Sequence, residues 1–310
     1  MTRRERSVLS VPASNWRMLE KAAMLEVDLA FIDLEDAVAP SAKVESRQQV
    51  IKAFRALDWR GKPRAFRINA LDTSFFYRDL IEIVEQCGDV LEAIIVPKVN
   101  RPEDLYVVDT LLTQIELAQR LQPGKIKLEA QIENASGLLN VERIALATGR
   151  LTALIFGPGD YAASMHMPME SIGVMDWWDE QYPGHRFHYA MSRIAVSAHA
   201  AGLHAIDGPC ADFKDMDAYR KTCVIARGLG FDGKWCIHPN QIATTNEVFS
   251  PTEQELHWAW KIVSLYQQAI SEKTGAIVLE NQMIDMASVR LAQATLQVSE
   301  ETEDEKANHA

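Results

Sequence analysis

The sequence has no uninterrupted apolar run near the roughly 20 residues that span a bilayer, so no membrane-crossing helix is expected. Its four cysteines, Cys87, Cys210, Cys223 and Cys236, make no C-x-x-C pair and no zinc-ligand spacing. They read as reduced packing residues of a cytosolic protein. Positive charge is scarce: 32 Lys and Arg stand against 43 Asp and Glu, a net charge of −11. Such a chain is a poor general binder of nucleic acid. No second histidine stands at ligand spacing from His238. The start MTRRERSVLSVP is basic, yet it runs into a short strand rather than a signal-peptide core. The cytoplasm is the expected location.

What is present is ordinary globular material, 47% hydrophobic and 24% charged, in a chain of 310 residues that suits one large core or two smaller ones. Strand candidates recur at 7–11, 29–34, 64–68, 93–97, 127–132, 152–157, 204–207 and 233–236. Helical periodicity fills the gaps, most clearly at 16–26, 43–57, 102–121 and 187–201, with Ser14 as a cap and Pro102 in a first turn. Eight βα units predict a TIM barrel over residues 1–250; a doubly wound sheet is the alternative. Residues 251–298 carry a long amphipathic helix capped by Ser250 or Thr252, a short extended pair and another helix. That module is too small to be a domain alone and is expected to pack as a helical lid. The acidic stretch 299–310 lacks an apolar period and is expected to be a disordered tail.

In a barrel, chemistry belongs to the loops after the strands. Two apolar runs, KLEAQIENASG and LTALIFGPGDYAAS, each end in a carboxylate, Glu133 and Asp160. The helical pattern at 135–148 between them makes a strand–helix–strand unit, parallel and right-handed, so both acids reach one rim. Either acid alone could be a helix cap; the repeated geometry favours two hard oxygen ligands for Mg²⁺ with open positions. Glu35 and Asp36 reach the same rim. Lys43 and Arg47, one turn apart on the next helix, could hold an anion at its start or form a solvated basic face. Arg67 and Asn69 face opposite to Phe66 and Ile68, and an inward Arg needs a carboxylate or an anion. Lys98 either enters the site or pairs with a neighbouring acid. The stretch 165–186 is long for a βα loop, and its Met and Trp content suits a flap or packing surface. His238, held extended before a proline, reads as a positioning residue.

The motifs LSVPASNWRMLEKA, DLEDAVAPSAKVESR, RINALDTSFFYRD, IVPKV, QIENASGLLN, FGPGDYAAS, KWCIHPNQI and MIDMAS, in this order, resemble the citrate-lyase-β / HpcH-HpaI aldolase superfamily of CoA-ester lyases. RINALDTSFFYRD, the long loop after Asp160 and HAIDGPCADFKD are most similar to its L-malyl-CoA/β-methylmalyl-CoA lyases; citramalyl-CoA lyases are next nearest. The resemblance implies Mg²⁺, with Mn²⁺ as a substitute, on Glu133 and Asp160, with Glu35 and Asp36 behind them. It implies Arg67 on the thioester oxygen, Lys43 and Arg47 at the CoA phosphates, and Pro239 in the CoA and substrate site. Asp285 would be the acid/base, delivered from an adjacent subunit of a homo-oligomer, a trimer or hexamer. Its partners would be a CoA thioester and a glyoxylate-type 2-oxo acid. The implied reaction is reversible C–C cleavage of malyl-CoA; hydrolysis of the thioester on the same scaffold is the other reading. No nucleophilic Ser, Cys or Lys is needed.

Overall fold

The computed structural model describes residues 4–182, 185–271 and 275–308. The chain divides into two compact units, Met1–Glu247 and Val248–Ala310. In the first, eight strands close into a parallel barrel: β1 (Ser7–Pro12), β2 (Leu29–Asp33), β3 (Arg64–Arg67), β4 (Ala93–Val96), β5 (Lys127–Ile132), β6 (Leu151–Phe156), β7 (His204–Asp207) and β8 (Gly233–Cys236). Closure comes from β1, which pairs with β2 and, through Ser7↔Lys234 and Leu9↔Cys236, with β8. The expected TIM-type barrel is present, each strand end within one residue of its expected position.

Parity explains both the core and the polar layer on it. Barrel strands are covered on both faces, so LAFID, AIIV and LTALIF read as nearly continuous apolar runs. Alternate residues still face opposite sides. One set forms a cluster in which small residues (Ala65, Ala93, Ala153) make room for large ones (Phe31, Ile95, Ile155, Trp235). Phe31 and Trp235 meet with ring centroids 4.6 Å apart. Truncating Phe31 to Ala should cost about 3–5 kcal/mol, because a close-packed interior cannot refill the space. Two residues beyond Phe31 and Ala65 on the same face come Asp33 and Arg67, and β5 places Gln131 and then Glu133 in the same parity. A hydrophobic plug is thus topped by charge.

The local details depart from expectation in places. Helix Trp16–Met24 is capped by Asn15 rather than Ser14; the Asn15 side chain accepts from the Met18 amide at 3.2 Å. The single helix expected at 135–148 is two short ones, Ala135–Leu139 and Val141–Ala145. Asn140 separates them with non-helical ψ 4, its amide group donating to the Asn100 and Ser136 carbonyls. Helix Pro102–Ala118 has its proline in the first turn.

The second unit has its own core. Ala259, Ile262 and Tyr266 of helix Glu253–Ser271 pack on Val289, Ala292 and Leu296 of helix Met286–Asn308, with Ile284 between. Thr252 and Glu255 cap the first helix reciprocally: the Glu255 amide donates to Thr252 Oγ1 (3.1 Å) and the Thr252 amide to Glu255 Oε2 (2.7 Å). Strands β9 (Ile277–Leu279) and β10 (Gln282–Ile284) form the extended pair, an antiparallel hairpin. Its two-residue turn holds Glu280 and Asn281 at φ 50 and 64, as a type I′ connection requires. The last helix runs to Asn308, into the stretch expected to be a disordered tail. That stretch has no Gly or Pro and holds four Glu, a good helix former. Residues 309–310 lie outside the described ones.

Candidate active site

Four inward-facing side chains at the carboxyl ends of β2, β3 and β5 form a chain of bonds. Arg67, 5% exposed, grips Asp33 with Nε (2.8 Å) and Nη2 (2.6 Å). Its Nη1 donates to Gln131 Oε1 at 3.1 Å and lies 2.9 Å from Glu35 Oε2. Gln131 then donates to Glu133 Oε2 at 2.7 Å. The other Glu133 oxygen accepts the Lys98 backbone amide at 2.7 Å. Gly157, just past β6, is small for a reason: a Cβ there would stand 2.4 Å from Glu133 Cβ. The turn that delivers Asp160 can therefore press against Glu133.

Lys98 crosses this cluster. Its ammonium donates to Glu35 Oε1 at 2.7 Å and lies 3.7 Å from Asp36 and 3.8 Å from Asp160. Burial opposes its charge, but Glu35, then Asp36 and Asp160, raise it above the ordinary lysine range. Burial likewise opposes the charge on Arg67, and Asp33 more than restores it, so the guanidinium is permanently charged. Glu133 goes the other way: burial, then the nearby Glu35, push its carboxyl well above the usual carboxylate range. Glu133, Glu35, Asp36 and Asp160 are all hard oxygen donors, and a cation already stands among three of them. That donor set and the stand-in ammonium fit a hard divalent cation. Among the described residues no three acid, His or Cys side chains form a ready-made metal cage.

Sequence reasoning singled out Glu133, Asp160, Glu35, Asp36 and Arg67, and the structure brings these five to one rim, with Lys98 among them. The cap reading for Glu133 does not apply, since Asn134 caps the helix that follows, accepting from the Gly137 amide at 2.8 Å. Asp160 lies in the first turn of helix Pro158–Ser164, behind Gly157 at the N-cap. Lys43 and Arg47 need correction, for neither presents a charge to a phosphate. The Lys43 ammonium is buried against the Leu34 and Glu35 carbonyls (2.8 Å each) and Asn69 Oδ1 (2.5 Å). Arg47 is bound by Asp79 at 2.9 Å and by Glu82 at 3.3 Å. The i,i+4 spacing placed both on one helix face, but that face packs inward on the helix carrying Asp79. Pro239 opens helix Pro239–Val248, and the preceding His238 ring stacks on Phe213 at 4.6 Å. In the second unit Asp285 caps helix Met286–Asn308, accepting from the Ala287 amide (2.9 Å) and the Ser288 amide (3.1 Å). The Ser288 and Ala287 bonds hold its carboxyl below the usual range. Asp33 and Gln131 were missed; their shared parity with Phe31 and Glu133 was the signal that could have found them.

A second buried charge group lies on the opposite strand parity. Lys234 of β8 forms an ion pair with Asp207 of β7 and donates to the Gly208 carbonyl at 2.8 Å. A small cavity there is lined by Lys234 and Asp207 together with Met175, Asp179 and His185 of the long loop and Phe187 just after it. The loop thus reaches the strand ends through Met175, Asp179 and His185, while Trp177 and Trp178 are exposed. Its Asp176 caps helix Trp177–Gln181 and binds Arg186 at 2.9 Å. Burial lowers the His185 pKa below its usual 6.5.

Residues 6–239 match the HpcH/HpaI aldolase/citrate lyase family. The chain is 37% identical over 305 residues to the L-malyl-CoA/β-methylmalyl-CoA lyase of Cereibacter sphaeroides, covering 96% of this chain and 95% of that one. It is 32% identical over 297 residues to the (3S)-malyl-CoA thioesterase of the same organism, covering 95% and 94%. Among solved structures, CitE of Mycobacterium tuberculosis in complex with magnesium and acetoacetate superimposes with a TM-score of 0.64 at 25% identity, over 80% of this chain and 92% of that one. Among the described residues no helix is long and apolar enough to cross a membrane.

Proposed function

The chain belongs to the HpcH/HpaI aldolase/citrate lyase family, and from that premise we propose that it is a Mg²⁺-dependent CoA-ester lyase. The reaction is reversible cleavage of L-malyl-CoA to acetyl-CoA and glyoxylate, and of β-methylmalyl-CoA to propionyl-CoA and glyoxylate. The observation that carries this reading is the acid-rich rim around Arg67, in a chain 37% identical to a lyase of that name. The magnesium-bound relative supports the choice of ion.

Glu133 and Asp160 would hold the ion, with Glu35 and Asp36 behind them. When bound there, Mg²⁺ supplies Lewis acidity that favours ionisation of the substrate hydroxyl and steadies the departing 2-oxo acid. Arg67 fixes a positive charge where the thioester enolate develops; Asp33 and Gln131 hold it there, so little reorganisation is needed. Asp285 is the proposed proton carrier, giving a proton to the enolate carbon on cleavage and taking one from acetyl-CoA on condensation.

The test is product analysis on the purified chain. With malyl-CoA and Mg²⁺, release of glyoxylate and acetyl-CoA supports the lyase. Free malate and CoA would support hydrolysis instead, the second reading, which the 32% identity to a malyl-CoA thioesterase favours. Pyruvate from citramalyl-CoA, at a higher rate than glyoxylate from malyl-CoA, would shift the substrate by one methyl group. Such a group is worth only about 1–3 kcal/mol in a pocket. Delivery of Asp285 from a second copy, in a trimer or hexamer, is tested by mixing inactive Asp285→Ala and Glu133→Ala subunits. Activity should return on exchange; none despite proven exchange would place Asp285 elsewhere.

A further inference from the structure

We propose that Lys98 is a positioning residue that serves as the site's internal counter-cation: without metal its ammonium stands among the acids, and it gives up Asp36 and Asp160 when the divalent ion binds. The inference rests on the Mg²⁺ reading above. Three observations carry it. Lys98 has φ 51, the left-handed region that a non-glycine residue enters at a cost. From that twist its amide donates to Glu133 Oε1 at 2.7 Å, so the strained residue is the one that fastens the buried acid. The side chain then reaches back over the cluster, with one short contact to Glu35 at 2.7 Å and two longer ones, 3.7 Å to Asp36 and 3.8 Å to Asp160. Last, the Lys98 side chain is 36% exposed while that of Glu35 is 5% exposed. The ammonium has a path to water; the acid does not.

The charges give this arrangement its direction. Asp33 and Glu35 pair with Arg67, and Lys98 is the cation that reaches Glu35, Asp36 and Asp160 together. The ammonium therefore keeps the acids assembled in the metal-free protein. A dication placed among the same oxygens would be repelled by an ammonium about 4 Å away, with an energy comparable to the attraction that Lys98 supplied. Lys98 should therefore weaken metal binding even as it organises the ligands. A residue that served only as a scaffold would have the opposite effect on removal.

Lys98→Met keeps the side-chain length and the same backbone restriction, so the φ 51 twist and the amide bond to Glu133 are not what changes. Calorimetric Mg²⁺ titration and metal-free melting would be measured on the wild type, Lys98→Met, Lys98→Arg and Asp160→Ala. The expected result is Mg²⁺ binding at least about tenfold tighter in Lys98→Met. Its melting temperature should fall without metal and recover at saturating Mg²⁺. Lys98→Arg should restore the weaker affinity, and Asp160→Ala should lose binding. If Lys98→Met does not fold, Lys98→Gln carries the same comparison. Unchanged or weaker Mg²⁺ affinity in the neutral variant, with the wild type binding normally, overturns the role of Lys98 alone. A wild type that binds no Mg²⁺ overturns the metal reading as well, which separates the two failures.

Discussion

Two buried charge groups sit on one barrel and differ in balance. Under the loop at 173–187, Lys234 and Asp207 answer one another, and the Gly208 carbonyl takes a further ammonium bond. Across the strands Arg67 and Lys98 pair with four carboxylates, the buried Asp33 and Glu35 and the more exposed Asp36 and Asp160, beside the buried Glu133. A matched buried pair can serve packing alone, and an apolar pair of similar volume could often replace it. An acid excess in a low-dielectric rim costs stability, and it places strongly perturbed carboxyls where catalysis uses them. The difference teaches which group to treat as chemistry: the unbalanced one.

The sharpest break between the two groups should come from Glu133→Gln. We expect C–C cleavage, read as kcat/KM, to fall by about 10⁴-fold, since several kcal/mol of metal-assisted stabilisation go with the ligand. A loss of less than about tenfold would make this cluster structural and erase the contrast. Next in size, Lys234→Met should cost about 3–5 kcal/mol of folding stability, because Asp207 is left buried and unpaired. Denaturant unfolding measures that, and kcat/KM of the folded fraction should change little. A large kinetic loss would move Lys234 into the catalytic machinery.

Arg67→Lys tests whether the shared guanidinium acts on the transition state. One point charge cannot reproduce contacts made by Nε, Nη1 and Nη2 together, so kcat should drop about 10²-fold with a smaller change in KM. Equal losses in affinity and turnover would reduce Arg67 to an anchor. The smallest effect concerns the loop. His185 has its pKa lowered by burial, so protonation opposes the folded state. Its stabilising contribution is present above the unfolded value of 6.5 and is lost as pH falls through the folded one. Melting temperatures below pH 6.5 should therefore fall less steeply in His185→Gln than in the wild type, and equal slopes would remove His185 from the account.

The barrel was legible because each strand is a short apolar run bounded by turn residues, and eight such runs with helical spacers leave few architectures. Glu133, Asp160, Glu35, Asp36 and Arg67 were legible because strand-end carboxylates and an inward Arg are conspicuous among apolar neighbours. Lys43 and Arg47 were misread, since i,i+4 spacing says which face two residues share but not whether that face meets water. Their partners, Asn69 and Asp79, come from the loop and helix after β3, and no local pattern announces that meeting. Lys98 was left between two readings because its geometry depends on a positive φ that a lysine does not advertise.

Closure of the barrel has a consequence for its birth. β1 bonds on one side to β2 and on the other to β8, and the Arg6 side chain reaches both Asp28 and the Asn246 carbonyl. The first strand can find one neighbour early, but the other lies beyond residue 230, so one edge of β1 must wait unpaired through most of synthesis. Contacts of such long sequence separation slow folding, because a large loop must close before they reward it. A chain cut after β7 would carry two open edges instead of none, and the expected fate of that fragment is association with other copies rather than a smaller stable barrel.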